Sequence, residues 1–492
     1  MLPLWWNFLS VLWAVEPGMD DSAVTCSRLP VWTLACALLA GCTAHYPVNE
    51  SISTAGQPKV APSLPDSAVE RSDTLLVGLT FSGGGTRAAA FSYGVLEVLN
   101  DVVIQWDGRE RRLVGEVDVI SSVSGGSFTS AYYGLFGHRI FDDYAEKFLY
   151  KDVQGHLEWS LLSPVEWTKL GSSHYDRSEM AADYYDEILF EGKTLGDVVA
   201  RNGPRLDINA SEIALGAQFT FGPAQFDLIC SDYASFPMSR AVTASSAVPI
   251  LFSSVVVNNY AGDCPVDLPA WAKAAEQRAD PTERAYHLVT QMRKFSNREQ
   301  LPYLHLLDGG LTDNLGVRPF LNRLTLAGTS WDLAKDMGQA DVHRMLVVVV
   351  NAESEMNVSF RESNVDMSLF DAITAATSIP LNEYTFDSLT LLRLAFDGIA
   401  NQFKKGRCEA WAATRKSTEG CDDFEFYFVV VEFDKLVDRK ESQRLKHLPT
   451  SFYLPVEDVN ALRHAAREIM TESRDFQKFM RDMQGSWSPA AD

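Results

Sequence analysis

The chain has 492 residues, 46% of them apolar and 11% aromatic, enough to fill a large hydrophobic core. Its 43 basic and 65 acidic residues leave a formal charge of −22, which argues against nucleic acid as a partner and against electrostatic attraction to anionic lipid. Contact with a membrane then has to come from apolar surface or from a covalent anchor.

The N-terminus offers such an anchor. Met1 to Ala14 is apolar but is followed by Glu16, Asp20 and Asp21, a poor leader, and a start at Met19 or later would remove it. Val31 to Leu38 is an apolar run of signal-peptide length preceded by Arg28, and Leu39-Ala40-Gly41-Cys42 resembles a bacterial lipoprotein box. Residues 1–41 are therefore expected to be a signal peptide and Cys42 the lipidated residue. Thr43 after it, rather than Asp, is expected to send the protein to the outer membrane of a bacterial envelope, facing the periplasm. The alternative is a plain anchor of two short apolar runs, neither of which reaches the roughly 20 residues a spanning helix needs. Residues 42–73, rich in Ser, Pro and Ala, are expected to be a flexible linker.

From Leu75 the pattern changes. Leu75 to Phe81 reads as a buried strand, Gly83-Gly84-Gly85 as a loop, Thr86 to Leu99 as a buried helix, and Val117 to Ile120 as a second strand. Ser122-Val123-Ser124-Gly125-Gly126 follows, before a helical stretch from Phe128 to Leu135. A serine between strand and helix fits a nucleophile elbow, whose sharp turn lifts the hydroxyl clear of the sheet. Strand, helix and strand in this order predict a mostly parallel sheet covered by helices.

His156 to Trp167 contains Trp159, Leu161, Leu162 and Trp167, either a lipid-facing lid or a buried helical layer. Arg205 to Ala210 and Gln225 to Ile229 read as strands, and Ala270 to Arg298 as a helical surface insertion. Tyr303 to Leu307 is a short strand that delivers Asp308-Gly309-Gly310, and Met345 to Val350 gives the strongest buried-strand signal. Beyond it come a helical stretch (Asp371 to Phe403), a polar loop (Cys408 to Cys421), a strand (Phe424 to Val431) and a closing amphipathic helix (Val456 to Met483). The division expected is a catalytic domain over 74–352 and an α/β extension over 353–492 packed on it.

Glycine loop, serine elbow and Asp-Gly-Gly, with Ala244-Ser245-Ser246-Ala247-Val248-Pro249 between the last two, resemble the patatin-like phospholipase family over about Leu75 to Val350. The resemblance implies a three-layer α/β sandwich and hydrolysis of lipid acyl esters by a Ser-Asp dyad, of the phospholipase or lysophospholipase type. Ser124 would be the nucleophile, Asp308 its base, and Gly83, Gly84 and Gly85 the oxyanion loop. Two positions depart from the family: Ser122 stands for the first elbow glycine, and Ala88 where many members have another glycine. Arg87, a cation in the first helical turn where it opposes the dipole, is expected to pair with a carboxylate or a lipid phosphate, or to be a solvated surface arginine. The partners expected are a lipid substrate and a membrane surface, with no nucleic acid, no cofactor and no metal.

Three rivals compete with this reading. Gly83-x-Gly85-x-x-Ala88 after a strand also fits a dinucleotide fingerprint, with Asp101 or Asp107 as the ribose acid, although Ile104 to Arg111 is a poor buried strand. A Ser-His-Asp triad could use His343, His447 or His464; His305 is excluded because residues three apart on a strand face opposite ways. The third is a non-catalytic lipid-binding lipoprotein. Of the seven cysteines, Cys230, Cys264, Cys408 and Cys421 lie beyond the signal and linker. Their even number suits an oxidising compartment, and the pairs expected are Cys230 with Cys264 and Cys408 with Cys421.

Overall fold

The computed structural model describes residues 49–52, 71–163, 169, 175–249, 251–266, 268, 270–336, 338–355 and 369–489. Strand β1 (Leu75–Phe81) is buried along its whole length, and the glycine loop leads from it into helix α1 (Gly85–Asp101). Strands β2 (Val102–Trp106) and β3 (Arg109–Arg112) form a hairpin, after which β4 (Val117–Val123) runs into the elbow and helix α2 (Gly125–Phe136). Helix α3 (Val153–Leu161) and helix α4 (Arg177–Tyr185) precede β5 (Arg205–Glu212) and β6 (Ala217–Phe221). Next come helices α5 (Pro223–Leu228) and α6 (Met238–Ser246), then strand β7 (Val255–Asn258). The insertion folds as α7 (Ala270–Arg278) and α8 (Arg284–Phe295), and β8 (Tyr303–Asp308) follows. Helices α9 (Arg318–Ala327) and α10 (Ser330–Asp336) lead to β9 (Arg344–Asn351). The chain ends with α11 (Leu369–Thr414), β10 (Glu425–Glu432), α12 (Arg439–Lys446), α13 (Val456–Glu472), α14 (Arg474–Asp482) and β11 (Ser486–Trp487).

The main sheet has eight strands in the order β10-β9-β1-β4-β5-β8-β7, with β6 also paired to β5. From β10 to β5 every pair is parallel, and β8, β7 and β6 join antiparallel. The sheet divides its side chains with period two. Leu75, Val77, Leu79 and Phe81 of β1 pack on one face with Phe91 and Val95 of α1, Phe128 of α2 and Leu462 of α13. Leu76, Val347, Val349 and Val430 pack on the other face against Val317, Trp331, Phe396 and Phe403. Helices on both faces make three layers, and burial from both sides explains why β1 and β9 carry unbroken apolar runs.

The C-terminal segment is built into this sheet. Strand β10 pairs with β9 over eight residues, Glu425 to Glu432, and α13 lies against α1. Their closest approach is at Gly94, where an added Cβ would come within 2.9 Å of Ala466 Cβ. Arg463 bonds Glu97 at 2.5 Å and Arg467 bonds Asp101 at 2.6 Å along the same contact.

Four expectations need correction. Gln225 to Ile229 is helical, because Gly222 and Pro223 start α5 there; the strand is β6, just before it. Cys408 lies inside α11 and not in a loop, its helix held by packing against the sheet. The closing helix is two helices, since Ser473 ends α13 and its side chain caps α14 by accepting from Phe476 N–H. Within the expected linker, Asn49–Ile52 is docked: Ile52 N–H donates to Cys230 O at 2.9 Å, and buried Asn49 bonds Ser231 and Asn258. The cysteines pair as Cys230–Cys264 and Cys408–Cys421. Cys42 and Trp167 lie outside the described residues, and among the described residues no helix is long and apolar enough to cross a membrane.

Candidate active site

Ser124 sits between β4 and α2 with φ 48° and ψ −120°, a backbone region costly for a residue with a side chain. The turn is tight enough that the next two residues have no room for a Cβ. On Gly125 it would lie 2.0 Å from Gly85 O, and on Gly126 it would lie 2.7 Å from Ser82 O. Ser122, by contrast, is an ordinary strand residue paired with Phe81 and Ile208, so that position needs no glycine. Its fully buried hydroxyl is satisfied by Ser130 at 2.6 Å and Ser127 at 3.1 Å, which accounts for the departure from the family pattern.

Strand β5 brings the two reacting groups together. Strand β4 climbs it in parallel until Val123 stands opposite Asn209, while β8 descends antiparallel until Asp308 stands opposite Ala210. The two strand ends therefore meet at successive positions of one template, about 3.3 Å apart along it. The Ser124 hydroxyl faces the Asp308 carboxylate, near enough for its hydrogen-bonding pull to reach the carboxyl. Burial raises the Asp308 carboxyl to about 6, against the pull of hydrogen bonds from Gly310 N–H, at 2.7 Å, and from Ser124. The weak base expected of an exposed aspartate is thus strengthened by its site.

The glycine loop is divided in its roles. Gly83 N–H donates to Asn314 O at 2.9 Å, so it is not available to an oxyanion, which corrects one of the three expected donors. The N–H groups of Gly84, Gly85 and Gly125 have no protein acceptor among the described residues. They open α1 and α2, whose N-termini converge beside Ser124, an arrangement that favours negative charge. Gly84 has φ 138° and Gly85 φ 59°, and a Cβ on Gly85 would lie 2.3 Å from Ser451 O. Ala88 is buried in α1 and packs beneath the loop without disturbing it.

Arg87 is neither a surface residue nor a phosphate ligand. It is buried, and donates to Ala352 O at 3.0 Å, Leu448 O at 2.5 Å and Thr450 Oγ1 at 3.0 Å. Burial lowers its guanidinium to about 10, opposed by the charge of Glu353. Its bonds, with Thr86 N–H donating to Ser451 O at 2.8 Å, strap residues 448–451 against the oxyanion loop. Sequence reasoning missed this strap, Asn314 and the Gly125 donor. Only Gly125 carried a local signal, since the residue after an elbow nucleophile commonly lends its N–H.

The rival sites are not assembled. His343 lies at the start of β9, where it bonds Asp423, at the opposite end of the sheet from the elbow. His447 and His464 are exposed on α12's C-cap and α13, and His305 faces away from Asp308 on alternating β8. Asp101 is paired with Arg467, and Asp107 bonds Ser72 and Thr74 at the start of β1, a strand length from the glycine loop. The segment distrusted as a buried strand forms the β2–β3 hairpin of a separate three-stranded sheet with β11. Ser121 lines an apolar cavity of about 90 Å³ with Val317 and Phe396 on the far face of the sheet, but neither Ser124 nor Asp308 lines it.

Helix α3 flanks the strap. Gln154 N–H donates to Phe452 O at 3.3 Å, and Phe452 N–H to Gln154 Oε1 at 3.2 Å. Val153 and Leu157 face inward, while Trp159 is 73% and Leu162 64% exposed. The aromatic segment is thus a packed layer on one side and open surface on the other.

Comparison with known proteins matches residues 79–321 to the patatin-like phospholipase family. No curated protein matches the chain. Among solved structures it is similar to human GIVD cytosolic phospholipase A2, at 12% identity and a TM-score of 0.32, over 56% of this chain and 45% of that one. The chain thus spans less than half the length of that protein. Residues 79–321, which hold the glycine loop, the elbow and Asp308, are thus a patatin-like phospholipase domain.

Proposed function

We propose that the protein cleaves the ester bonds of phospholipids or lysophospholipids through a Ser124–Asp308 dyad. The meeting of the two side chains at the ends of β4 and β8 carries this reading. Ser124 Oγ attacks the acyl carbonyl as Asp308 takes the hydroxyl proton, and the carbonyl oxygen gains charge against the free N–H groups of Gly84, Gly85 and Gly125. Collapse expels the alcohol, which leaves with the proton returned by Asp308. Water, deprotonated by the same carboxylate, then releases the fatty acid from the acyl-serine. Vesicles of phosphatidylcholine or lysophosphatidylcholine should yield free fatty acid with the native protein and none with Ser124→Ala. Vesicle binding without release would identify a non-catalytic lipid-binding lipoprotein instead.

The base must be ionised to work, and burial holds Asp308 at about 6. Activity is therefore present above that pH and lost as pH falls through it. The kcat/KM profile on a soluble ester should be level above about pH 7 and drop tenfold per unit below about pH 6. A level profile down to pH 4 would mean that the base is another group.

The proposed place of work is a bacterial envelope, with Cys42 as lipid anchor and exposed Trp159 and Leu162 beside the strap as apolar contacts. In a chain of net charge −22, apolar contacts are the available means of reaching a bilayer. Cys42→Ala should move the protein from the membrane to the soluble fraction. Trp159→Ser with Leu162→Ser should lower hydrolysis of vesicles but leave that of a soluble ester unchanged. Equal rates on both substrates would make this pair idle surface.

A further inference from the structure

We infer that Ser245 and Ala247 form a two-point clamp that sets the separation of the Ser124 and Asp308 backbones, Ser245 acting as a positioning residue for the nucleophile. The inference rests on the proposed dyad. Ser124 N–H donates to Ser245 Oγ at 2.9 Å, and Asp308 N–H donates to Ala247 O at 2.9 Å. Two residues apart at the end of α6, these groups hold the nucleophile and its base by their own main chains.

The clamp is itself fixed to the template strand. The Ser245 hydroxyl donates to Asn209 O at 2.7 Å, and Asn209 is the β5 residue that stands opposite Val123, one before Ser124. Ser127 Oγ lies 3.0 Å from Ser245 Oγ on the α2 side. A serine hydroxyl has one proton to give, and Ser245 gives it to Asn209 O while its oxygen accepts from Ser124 N–H, so the one side chain ties the elbow to the template strand. Asn209 is held in turn: its amide donates to Ser121 Oγ and Ser122 O, each at 3.0 Å, and its Oδ1 accepts from Thr220 at 2.8 Å. Ser245 and Ala247 have no exposed surface, which explains why this stretch is made of small residues: a larger side chain would part the two strand ends.

The conformation of Ser124 needs such a hold. With φ 48° and ψ −120° the elbow is strained, and its N–H would otherwise relax toward another acceptor. Loss of the Ser245 hydroxyl should let the elbow drift and lengthen the Ser124–Asp308 contact. That contact is one of the two that pull the Asp308 carboxyl down, so its weakening also raises the pH at which the base becomes protonated.

The test compares native protein, Ser245→Ala, Ser245→Cys and Ser124→Ala on a soluble ester, with thermal melting alongside. Ser245→Cys keeps the shape of the side chain and loses most of its hydrogen bonding. Expected for both Ser245 variants are a kcat reduced at least tenfold, a KM within twofold, and an acid limb of kcat/KM moved to higher pH. A role confined to stability would lower the melting temperature and leave the limb in place, which would overturn the clamp. So would kcat within twofold of native, or failure of both variants to fold, which would assign Ser245 to the core alone. Turnover that survives Ser124→Ala would instead remove the dyad on which the clamp rests, and is separately visible in the same experiment.

Discussion

Ser124→Ala and Asp308→Ala should each lower kcat on a soluble ester by at least about 10⁴-fold, and the double change should cost little more than either alone. Non-additivity is expected because the serine is a nucleophile only while the carboxylate takes its proton, so removal of one leaves nothing for the other to do. The structure adds a reason why no third group should rescue the single variants. The carboxylate that faces the Ser124 hydroxyl is Asp308 itself, and His343 is bonded to Asp423 at the far end of the sheet. Substitution of His343, His447 or His464 by Ala should leave kcat within about twofold. Loss of turnover in any of them, with folding intact, would replace the dyad by a triad. Asp308→Asn is a sharper form of the second change, since it keeps the bond from Gly310 N–H and removes only the basic oxygen.

The second large effect is expected at Gly125. A methyl group there would sit 2.0 Å from Gly85 O, so the elbow and the oxyanion loop would have to separate. Three free N–H groups then lose their common focus, and the loss of one such donor typically costs about 10² to 10³ in kcat. Gly125→Ala should fall in or below that range with KM little changed. Gly83→Ala is a different case: its Cβ would strike Asn314 Oδ1 at 2.5 Å, a side-chain atom, and its N–H is already bonded. The smaller of the two losses is therefore expected at Gly83. Equal losses at the two glycines, measured as kcat on the same ester, would show that Gly83 also faces the oxyanion.

Much of the parallel half of the fold was legible because strands buried on both faces carry unbroken apolar runs. Leu75 to Phe81, Met345 to Val350 and Phe424 to Val431 could be read as strands without partners in view. The antiparallel half was not, because the direction in which β8 enters the sheet depends on its pairing with Ala210 to Glu212, and no local residue records that. Gln225 to Ile229 misled because Phe226, Leu228 and Ile229 suit a strand or a short helix, and Gly222-Pro223 was given too little weight as a helix start.

At the site, the residues that react announced themselves through local geometry: a serine in a strand-to-helix turn and an aspartate before two glycines. Those that hold them in place did not. Arg87 looked like a misplaced cation at a helix start, and its role is defined by carbonyls 265 and 361 residues away. The Gly83 N–H looked free until Asn314 was placed against it. Ser245 stood in a stretch noted only for small residues, and its hydroxyl acquired meaning from the main chains on either side.

The most direct test of the dyad is covalent. Native protein treated with a fluorophosphonate and digested for mass spectrometry should carry one adduct, on the peptide that contains Ser124. Its rate of formation should fall below about pH 6 as Asp308 is protonated, and should be lost in Asp308→Asn. An adduct on another residue, or labelling of Ser124 at an unchanged rate in Asp308→Asn, would contradict the assignment of nucleophile and base.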